Sequence, residues 1–384
     1  MFIDIVQKKN PDLIKVAIEL HQKGEILPDT YVLDVDAILE NGRALCKKAE
    51  ENGIKLYAMT KQFGRVPYLA KKLVEIGFAG VVTVDFKEAL IMMDNGVKLG
   101  NVGHLVQIPS SLIDKVVRHS PEIITVYSLE KIKEIDEAAK KYGKVQDIML
   151  RVLEKDSEIY SGQSGGFYLD DIEDIAKEIL KLNNVRINGL TSFPCFLYNC
   201  DKNIIEGTKN IESIKKAERV LKELGIFVEQ LNMPSATSLE NIESIKAYGG
   251  THGEPGHALT GTTPFNSRNL EGEIPAIVYV SEISHNLDYN SYCYGGGHYR
   301  RSGMNSVLVG KNIKKMRRSP VEAPTLESID YYFELCGNNN VGETVIGAFR
   351  TQIFVTRSSV ALIEGVKSSN PKLVGVYDSL GREM

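Results

Sequence analysis

The chain has 384 residues, of which 43% are apolar and 25% are charged, and its formal net charge is −4. This length is sufficient for a large core and for two domains. Acidic and basic residues are mixed, with no basic stripe or basic amphipathic helix, which argues against nucleic acid or a membrane surface as a partner.

No signal peptide or membrane-spanning segment is predicted. The N-terminal stretch MFIDIVQKKNPDL lacks a sustained apolar core, and no apolar run reaches about 18 residues. The five cysteines are scattered and odd in number, which argues against a disulfide framework and fits a reducing compartment. We therefore expect a soluble, cytoplasmic protein.

The first part of the chain predicts a helical lead-in followed by a barrel. Residues 1–28 predict one helix with a lead-in that packs on either domain, and TYVLD (30–34) is extended. Short β-branched runs then alternate with segments of helical period. Eight candidate strands follow, at 54–59, 79–84, 102–108, 122–126, 146–153, 185–192, 226–232 and 249–253. This pattern predicts a (β/α)8 barrel over 29–265. A doubly wound open sheet is the rival, weakened because no GxGxxG follows the first strand.

The pattern changes after about residue 265. Several apolar runs follow without long helices between them: EIPAIVYVSEIS, SVLVG, YYFELC, QIFVTRSSVALIEG and KLVGVYD. They predict a second, mainly β domain over 266–384. The expected fold class is thus α/β, a (β/α)8 barrel followed by a mainly β C-terminal domain.

The stretch GIKLYAMTKQFGRV (53–66) places a lysine, Lys61, directly after a buried strand. Catalytic groups of (β/α)8 barrels lie at the C-terminal ends of strands. One interpretation is a lysine whose ammonium simply reaches solvent. The other is an amine that loses its proton through desolvation and attacks an aldehyde such as that of pyridoxal phosphate.

Two later stretches have the composition of a phosphate site. In NMPSATSLENI (232–242), Ser235 and Thr237 lie between the seventh strand and the next helix. In THGEPGHALTG (251–261), glycines permit close backbone approach, and Glu254 follows the eighth strand. The loops after strands seven and eight commonly bind phosphate in this fold. A helix N-cap with nothing bound is the alternative interpretation of PSATS.

Taken together, PDTYVLDVDAILEN, YAMTK and EPGHALTG resemble the alanine-racemase-like (fold type III) group of pyridoxal-phosphate enzymes over nearly the whole chain. The resemblance implies a barrel that holds the cofactor and a C-terminal β domain that completes the site. It implies that Lys61 forms the internal aldimine and that Ser235, Gly256 and His257 belong to the phosphate-binding elements. Arg65 stands where alanine racemases carry a tyrosine that reaches the phosphate, and an arginine can serve that anion.

Glu254 departs from the alanine racemase pattern. At the matching position those enzymes carry an arginine, which leaves the pyridine nitrogen unprotonated. EPG instead resembles the EPGR motif of barrel-type decarboxylases, in which the glutamate pairs with a protonated pyridinium. The resemblance therefore implies that the cofactor ring accepts electrons more strongly than in alanine racemases. It leaves the type of reaction open.

The segment SYCYGGGHYRRSG (291–303) is similar to the Tyr-Gly segment of alanine racemases. There the tyrosine enters the partner subunit's site as the second base. Tyr294 is the expected match, with Tyr292 or His298 as alternatives. A cation such as Arg300 or Arg301 would favour the ionised phenol. The decarboxylases carry a Cys-Asp pair in this domain, and Cys-Tyr here counts against decarboxylation.

Substrate contacts are predicted for three side chains. Gln163 lies in YSGQSGG after the fifth strand, in a loop whose alternative role is a mobile surface segment. Asn338, with Asn339 beside it, lies in ELCGNNN, which resembles the substrate-carboxylate loop. His298 is the third.

Other side chains near the predicted barrel mouth have competing interpretations. His104 is predicted to be a satisfied core histidine. Phe193 or Cys195, in TSFPCF, takes the face of the cofactor ring where some relatives carry a histidine. A zinc site of Cys293, His298 and Cys336 lacks a recognised ligand spacing, so no metal is predicted.

These features predict a pyridoxal-phosphate-dependent amino-acid racemase that acts as a homodimer with shared active sites. The substrate is expected to be an amino acid, and the sequence does not identify its side chain. The alternatives are a decarboxylase or D-amino-acid lyase on the same scaffold, and a non-catalytic protein that holds the cofactor. The last is disfavoured because the small barrel-only relatives lack the β domain.

Overall fold

The structure, a computed structural model, describes residues 2–298, 302–322, 324–325, 327–368 and 370–384. The chain forms two compact units. We call Arg43–Thr60 with Ala70–Gly256 the barrel unit, and Met1–Gly42, Lys61–Leu69 and His257–Met384 together the β unit.

The helices and strands of the described residues are numbered in chain order. The α-helices are α1 (Phe2–Lys9), α2 (Pro11–Gln22), α3 (Val35–Glu51), α4 (Pro67–Glu75), α5 (Phe86–Asp94), α6 (Ser110–His119), α7 (Leu129–Lys141), α8 (Ile172–Ile179), α9 (Asn210–Glu223), α10 (Ile242–Ala247) and α11 (His257–Thr260). The strands are β1 (Thr30–Asp34), β2 (Lys55–Met59), β3 (Gly80–Thr83), β4 (Leu99–Val102), β5 (Ile123–Val126), β6 (Gln146–Leu153), β7 (Phe167–Tyr168), β8 (Val185–Thr191), β9 (Phe196–Asn199), β10 (Ile204–Gly207), β11 (Gln230–Asn232), β12 (His252–Gly253), β13 (Ile277–Leu287), β14 (Asn290–Tyr294), β15 (Ser306–Gly310), β16 (Arg317–Glu322), β17 (Tyr332–Cys336), β18 (Thr344–Gly347), β19 (Ser359–Glu364) and β20 (Lys372–Tyr377).

The barrel unit contains a closed parallel sheet. Its strand order is β5-β4-β3-β2-β12-β11-β8-β6, with β7 beside β6. The sheet closes because β6 also pairs with β5, with Ile148 opposite Ile124. Strands such as β3 and β5 are buried at every position, as expected for parallel strands covered on both faces. The predicted (β/α)8 barrel is confirmed.

Strand β4 begins earlier than the predicted strand at 102–108. It covers Leu99–Val102 and ends before Gly103, which adopts a left-handed conformation with φ +84°. A Cβ atom at this position would lie 2.8 Å from the Thr125 carbonyl oxygen, so only glycine fits. Asn101 therefore lies inside the strand, and His104 lies in the loop after it.

The β unit contains a nine-stranded sheet in the order β14-β17-β16-β15-β18-β13-β1-β19-β20. This confirms the mainly β C-terminal domain. β1, which the predicted boundaries place with the barrel, instead pairs with β13 (antiparallel) and β19 (parallel). The run QIFVTRSSVALIEG, predicted to be one strand, contains a 3-10 helix at Ile353–Val355 before β19. The boundaries at residues 28 and 265 remain predictions.

The N-terminal segment forms two helices where the sequence predicts one. Pro11 lies in the first turn of α2, and Asn10 breaks the helical path with φ −145° and ψ 59°. The Asn10 side chain donates to Asp34 Oδ2 (2.9 Å) and to the Pro275 carbonyl (3.0 Å). Apolar residues of α1 and α2, such as Leu13, share one core cluster with β13 and β18. No helix among the described residues is long and apolar enough to cross a bilayer.

Asp29 makes a pH-dependent contribution to stability. Its Oδ1 accepts hydrogen bonds from the Tyr279 hydroxyl (2.9 Å) and from the Ser358 hydroxyl. Burial, only partly offset by these bonds, raises its pKa from 3.8 to about 6. The folded protein therefore binds a proton between these two pH values that the unfolded chain releases, and this stabilisation is lost as the pH rises through 6.

We expect Asp29→Asn to be more stable than the unsubstituted protein at pH 7.5, because the amide oxygen accepts the same bonds without a buried charge. The expected gain in melting temperature is about 2–4 °C, and it should vanish near pH 4.5. Melting curves across this range check it, with the exposed Asp201→Asn as the control. A gain that is independent of pH would contradict the assignment.

Candidate active site

Glu254 occupies the end of β12 in the barrel unit. The residue is only 5% exposed, and its Oε1 accepts hydrogen bonds from Asn101 Nδ2 (3.0 Å) and Asn232 Nδ2 (2.6 Å). Its backbone N–H donates to Thr237 Oγ1 (3.0 Å). Gly253 permits this approach, since a Cβ there would lie 2.8 Å from the Thr237 methyl group. The carboxylate is thus held by side chains from β4 and β11, and the Glu254 main chain by the loop after β11.

A further polar layer supports this carboxylate. Thr125 Oγ1 donates to Asn101 Oδ1 (2.7 Å), which fixes the amide so that its N–H group faces Glu254. His104, which is fully buried, places Nε2 3.5 Å from Glu254 Oε2. Buried polar groups of this kind are costly unless they are paired with one another or with a ligand. The arrangement suits a carboxylate that accepts a hydrogen bond from a further N–H donor.

The loop after β11 has an unusual backbone and two buried polar side chains without partners. Ser235 and Ala236 both adopt positive φ values, 88° and 53°. The Ser235 hydroxyl donates to the Phe196 carbonyl (2.8 Å). Within the described residues, Ser238 Oγ and both side-chain polar atoms of Asn241 are buried and have no hydrogen-bond partner. Such groups indicate a bound polar ligand or water.

Arg151, on β6, lies almost wholly buried in the same unit. It donates to the Tyr127 hydroxyl (2.8 Å) and to the Gln163 carbonyl (2.8 Å), and its guanidinium lies 5.2 Å from the centre of the Tyr127 ring. Tyr127 in turn donates to the His104 carbonyl. Gln163 is therefore fixed through its main chain, and its predicted contact with substrate remains a prediction.

The Phe193 ring contacts His104 edge-on, with centroids 5.4 Å apart, and lies 5.6 Å from the Tyr160 ring. Cys195 is fully buried, and its thiol donates to the Ser192 carbonyl (3.2 Å). Burial raises the thiol pKa far above its usual value, so Cys195 stays neutral. Of the two candidates, Phe193 is the one that contacts a residue of the Glu254 cluster.

In the β unit, Lys61 and Arg65 share one aromatic partner. Lys61 lies two residues after β2, in the 3-10 helix Thr60–Phe63. Its Nζ lies 5.9 Å from the centre of the Phe354 ring, and the Arg65 guanidinium lies 5.2 Å from the same centre. Arg65 is 2% exposed. Two cations on one ring make this part of the unit attractive to anions.

His257, the first residue of α11, is held as a neutral imidazole. Arg350 Nε donates to His257 Nε2 (3.2 Å), so the proton resides on Nδ1, which contacts Thr262 Oγ1 (2.9 Å). Burial, together with the charges of Arg350 and Lys61, lowers its pKa well below the usual value. Sequence reasoning did not identify Arg350 or its neighbour Gln352, whose amide also approaches His257 Nε2 (3.4 Å).

Tyr294 ends β14 with a side chain that is 37% exposed, and its ring lies 5.9 Å from that of Tyr332. Its carbonyl accepts a hydrogen bond from the Ser281 hydroxyl (2.6 Å). The His298 ring lies 5.9 Å from the Phe333 ring. The cations predicted to assist Tyr294, Arg300 and Arg301, lie outside the described residues.

The ELCGNNN loop contains a buried asparagine, Asn339, beside the exposed Asn338. Asn339 is buried and donates to the Ser291 hydroxyl (2.7 Å), while its Oδ1 accepts from Arg317 (2.7 Å). Asn338 is exposed, and its contact with substrate remains a prediction. The Cys336 thiol contacts Glu322. No cluster of His, Cys, Asp or Glu suited to a metal occurs among the described residues.

The structure brings some predicted residues together within each unit. Glu254 and Thr237 meet in the barrel unit, and Lys61 and Arg65 meet in the β unit. Asn101 and Asn232, which lie within strands β4 and β11, were missed. His104 was assigned to the core, and it does lie buried, but beside Glu254.

These residues fit pyridoxal phosphate. The carboxylate of Glu254, with two amide donors on one oxygen, suits a protonated ring nitrogen. The partnerless Ser238 and Asn241 side chains lie in the loop where this fold binds phosphate. A lysine follows the first barrel strand, as imine formation requires.

Comparisons with known proteins identify the family of this chain. A family model described as "Alanine racemase, N-terminal domain" matches residues 33–264, and one described as "YhfX-like, C-terminal domain" matches residues 278–373. The chain is 44% identical over 385 residues to "Uncharacterized protein YhfX" of Escherichia coli (strain K12), with 100% of each chain covered.

Two solved structures share the fold at low identity. A D-threonine aldolase from Filomicrobium marinum superposes with a TM-score of 0.68 at 14% identity, covering 92% of this chain and 94% of that one. An alanine racemase from Clostridium difficile 630 superposes with a TM-score of 0.66 at 17% identity, covering 91% and 98%. At such identities the likeness establishes the fold alone.

Proposed function

This chain belongs to the family defined by the alanine racemase N-terminal domain, and on that premise we propose that it is a pyridoxal-phosphate-dependent amino-acid racemase. The observation that carries the proposal is the buried carboxylate of Glu254, fixed by Asn101 and Asn232. A fixed negative charge favours a protonated ring nitrogen, and a protonated ring accepts electron density from an amino acid's Cα more strongly.

Each cofactor contact is assigned to residues of this chain. Pyridoxal phosphate supplies an aldehyde that condenses with amines and a ring that accepts electron density from Cα. Lys61 would hold the aldehyde carbon, and Glu254 the ring nitrogen. Ser235, Thr237, Arg65 and the Gly256–His257 segment would hold the phosphate, through hydroxyl groups, a guanidinium and backbone N–H groups.

The proton transfers require two bases on opposite faces of the substrate. The Lys61 amine would take or return the Cα proton on one face. On the other face the Tyr294 phenolic oxygen, contributed by the partner subunit of a homodimer, would do the same. Its partial exposure at the end of β14 is consistent with this role. Gln163, His298 and Asn338 are the proposed substrate contacts.

Removing the Tyr294 hydroxyl should distinguish proton transfer on one face of the substrate from proton transfer on the other. We expect Tyr294→Phe to lower racemisation in both directions by about 10²–10⁴-fold, because one face loses its proton carrier. Exchange of the Cα proton with deuterated water should persist for the enantiomer that presents its proton to Lys61. Chiral chromatography and mass spectrometry measure the two rates.

Tyr289→Phe is the matched control, since Tyr289 is 87% exposed in the same unit. Equal racemisation by Tyr294→Phe and the unsubstituted protein would remove Tyr294 from the mechanism. If a broad panel of single enantiomers gave unracemised product without deuterium, the racemase proposal itself would fail.

A second candidate is a lyase acting on D-amino acids. It is favoured by Glu254, since a protonated ring also stabilises the charge left by cleavage of a bond at Cα, and by the fold shared with a D-threonine aldolase. Release of an aldehyde from D-β-hydroxy amino acids would identify it. Carbon dioxide release would indicate a decarboxylase, and cofactor binding without turnover a cofactor-holding protein.

A further inference from the structure

The backbone of the Tyr294–His298 segment is held at nearly every peptide by other parts of the β unit. Gly295 N–H donates to the Tyr331 carbonyl (2.8 Å). The Gly297 carbonyl accepts a hydrogen bond from the Tyr31 hydroxyl. A segment with this many anchors keeps one conformation, which is unusual for a run of three glycines.

One carboxylate makes the central contacts. Asp330 Oδ2 accepts from both the Gly296 and the His298 backbone N–H groups, each at 3.1 Å. Asp330 Oδ1 accepts from Arg357 Nη1 (3.0 Å), and Arg357 Nη2 donates to the Asp330 carbonyl (3.0 Å). The Arg357 backbone N–H also donates to the Gly296 carbonyl (3.3 Å). Asp330 therefore binds backbone N–H groups of the segment, and Arg357 binds one of its backbone carbonyls.

The close packing of this segment requires all three of its glycines. A Cβ at Gly295 would lie 2.0 Å from the Asp330 carbonyl oxygen, and one at Gly296 would lie 1.9 Å from Asp29 Oδ2. At Gly297 it would lie 2.4 Å from the Tyr279 ring. The glycines thus permit contact between main chain and anchors, and do not serve as a flexible hinge.

We propose that the Asp330–Arg357 pair is a positioning clamp that sets the reach of the Tyr294 phenol, an inference that rests on the proposed role of Tyr294 as second base. Asp330 acts through the backbone and touches neither substrate nor cofactor. The clamp matters because proton transfer requires heavy atoms within hydrogen-bond reach, and a displacement of about 1 Å costs roughly 10²-fold in rate.

The test uses the full-length holoenzyme with Asp330→Asn and Arg357→Lys. Asparagine keeps the size of the side chain, but it offers one acceptor oxygen and turns an amide N–H group toward a former donor. Lysine keeps the charge of Arg357 but cannot make both contacts. We expect kcat for racemisation to fall about 10–100-fold while KM changes less than about threefold. Proton exchange on the Lys61 face should be unchanged.

A second readout does not depend on the reaction. Amide hydrogen exchange of a peptide covering 294–298 should accelerate at least about tenfold in Asp330→Asn. The single amide oxygen cannot replace both carboxylate oxygens, which accept from the two N–H groups and from Arg357. Asp288→Asn, which changes an exposed acid in the turn between β13 and β14, should alter neither measurement.

The outcomes separate the clamp from the proposed function. Unchanged amide exchange in both variants, or a parallel loss of racemisation and Lys61-face exchange, would overturn the clamp. If the unsubstituted enzyme neither racemises amino acids nor exchanges Cα protons, the proposed function fails. In that case faster amide exchange in Asp330→Asn still supports the clamp on this segment, and unchanged exchange rejects it.

Discussion

Replacing Lys61 by alanine is expected to abolish the visible absorption of the cofactor-loaded protein and to lower turnover by about 10³-fold. The loss follows because this amine is the proposed attachment point for the cofactor aldehyde and also the base for one face of the substrate. Absorption spectra before and after borohydride measure the attachment. Mass mapping of the reduced unsubstituted protein should then locate the cofactor on Lys61.

Lys55→Ala is the matched control, because Lys55 is an exposed lysine at the opposite end of the same strand, β2. It should retain the spectrum and the activity. A Lys61→Arg protein that stayed yellow and fully active would refute both the attachment and the mechanism built on it. Mapping of the reduced adduct to another lysine would move the site elsewhere.

Replacing Glu254 by glutamine is expected to lower turnover about 10²-fold, with the cofactor still attached to Lys61. The glutamine amide carries no charge to hold a protonated ring nitrogen, and it would turn N–H hydrogens toward Asn101 or His104. Aspartate keeps the charge on a shorter side chain, so Glu254→Asp should recover part of the rate. The absorption spectrum of the bound cofactor is followed against pH in the unsubstituted protein, Glu254→Gln and Glu254→Asp. This comparison measures how the side chain affects protonation of the ring nitrogen.

Glu137→Gln, an exposed change on α7, is the control and should behave like the unsubstituted protein. Full activity and an unaltered titration in Glu254→Gln would show that the ring nitrogen does not depend on this carboxylate. The inference that Glu254 keeps the cofactor ring nitrogen protonated, as in the decarboxylases, would then have no support.

Local patterns in the chain predict much of the fold. Alternation of β-branched runs with helical segments depends on burial of successive strands and helices, so it identifies the barrel strands other than β4. The position of β4 was missed because its end depends on Gly103, which must approach the Thr125 carbonyl of the neighbouring strand. The place of β1 beside β13 and β19 was missed because strand pairing at such separations leaves no local signal.

The candidate site shows the same division. Lys61 and Glu254 stand in short motifs, YAMTK and EPGHALTG, whose resemblance to those of pyridoxal-phosphate enzymes implies cofactor chemistry. The groups that orient Glu254 do not: Asn101 is separated from it by 153 positions and Asn232 by 22. Arg350 reaches His257 across 93 positions. The local sequence around a single polar residue does not predict which distant residue its side chain will contact.

By itself the sequence determined the barrel, the β domain after it and the motif residues that point to pyridoxal phosphate. The barrel and the β domain were predicted from side-chain periodicity and turn chemistry, and the motif residues from the resemblance of short stretches to a known family. All of these signals are local in the chain. Only the tertiary structure decided which amides hold the Glu254 carboxylate, which arginine contacts His257 and which acid anchors the Tyr294 segment. Those contacts join residues brought close by sheet closure and strand pairing, which no local pattern encodes.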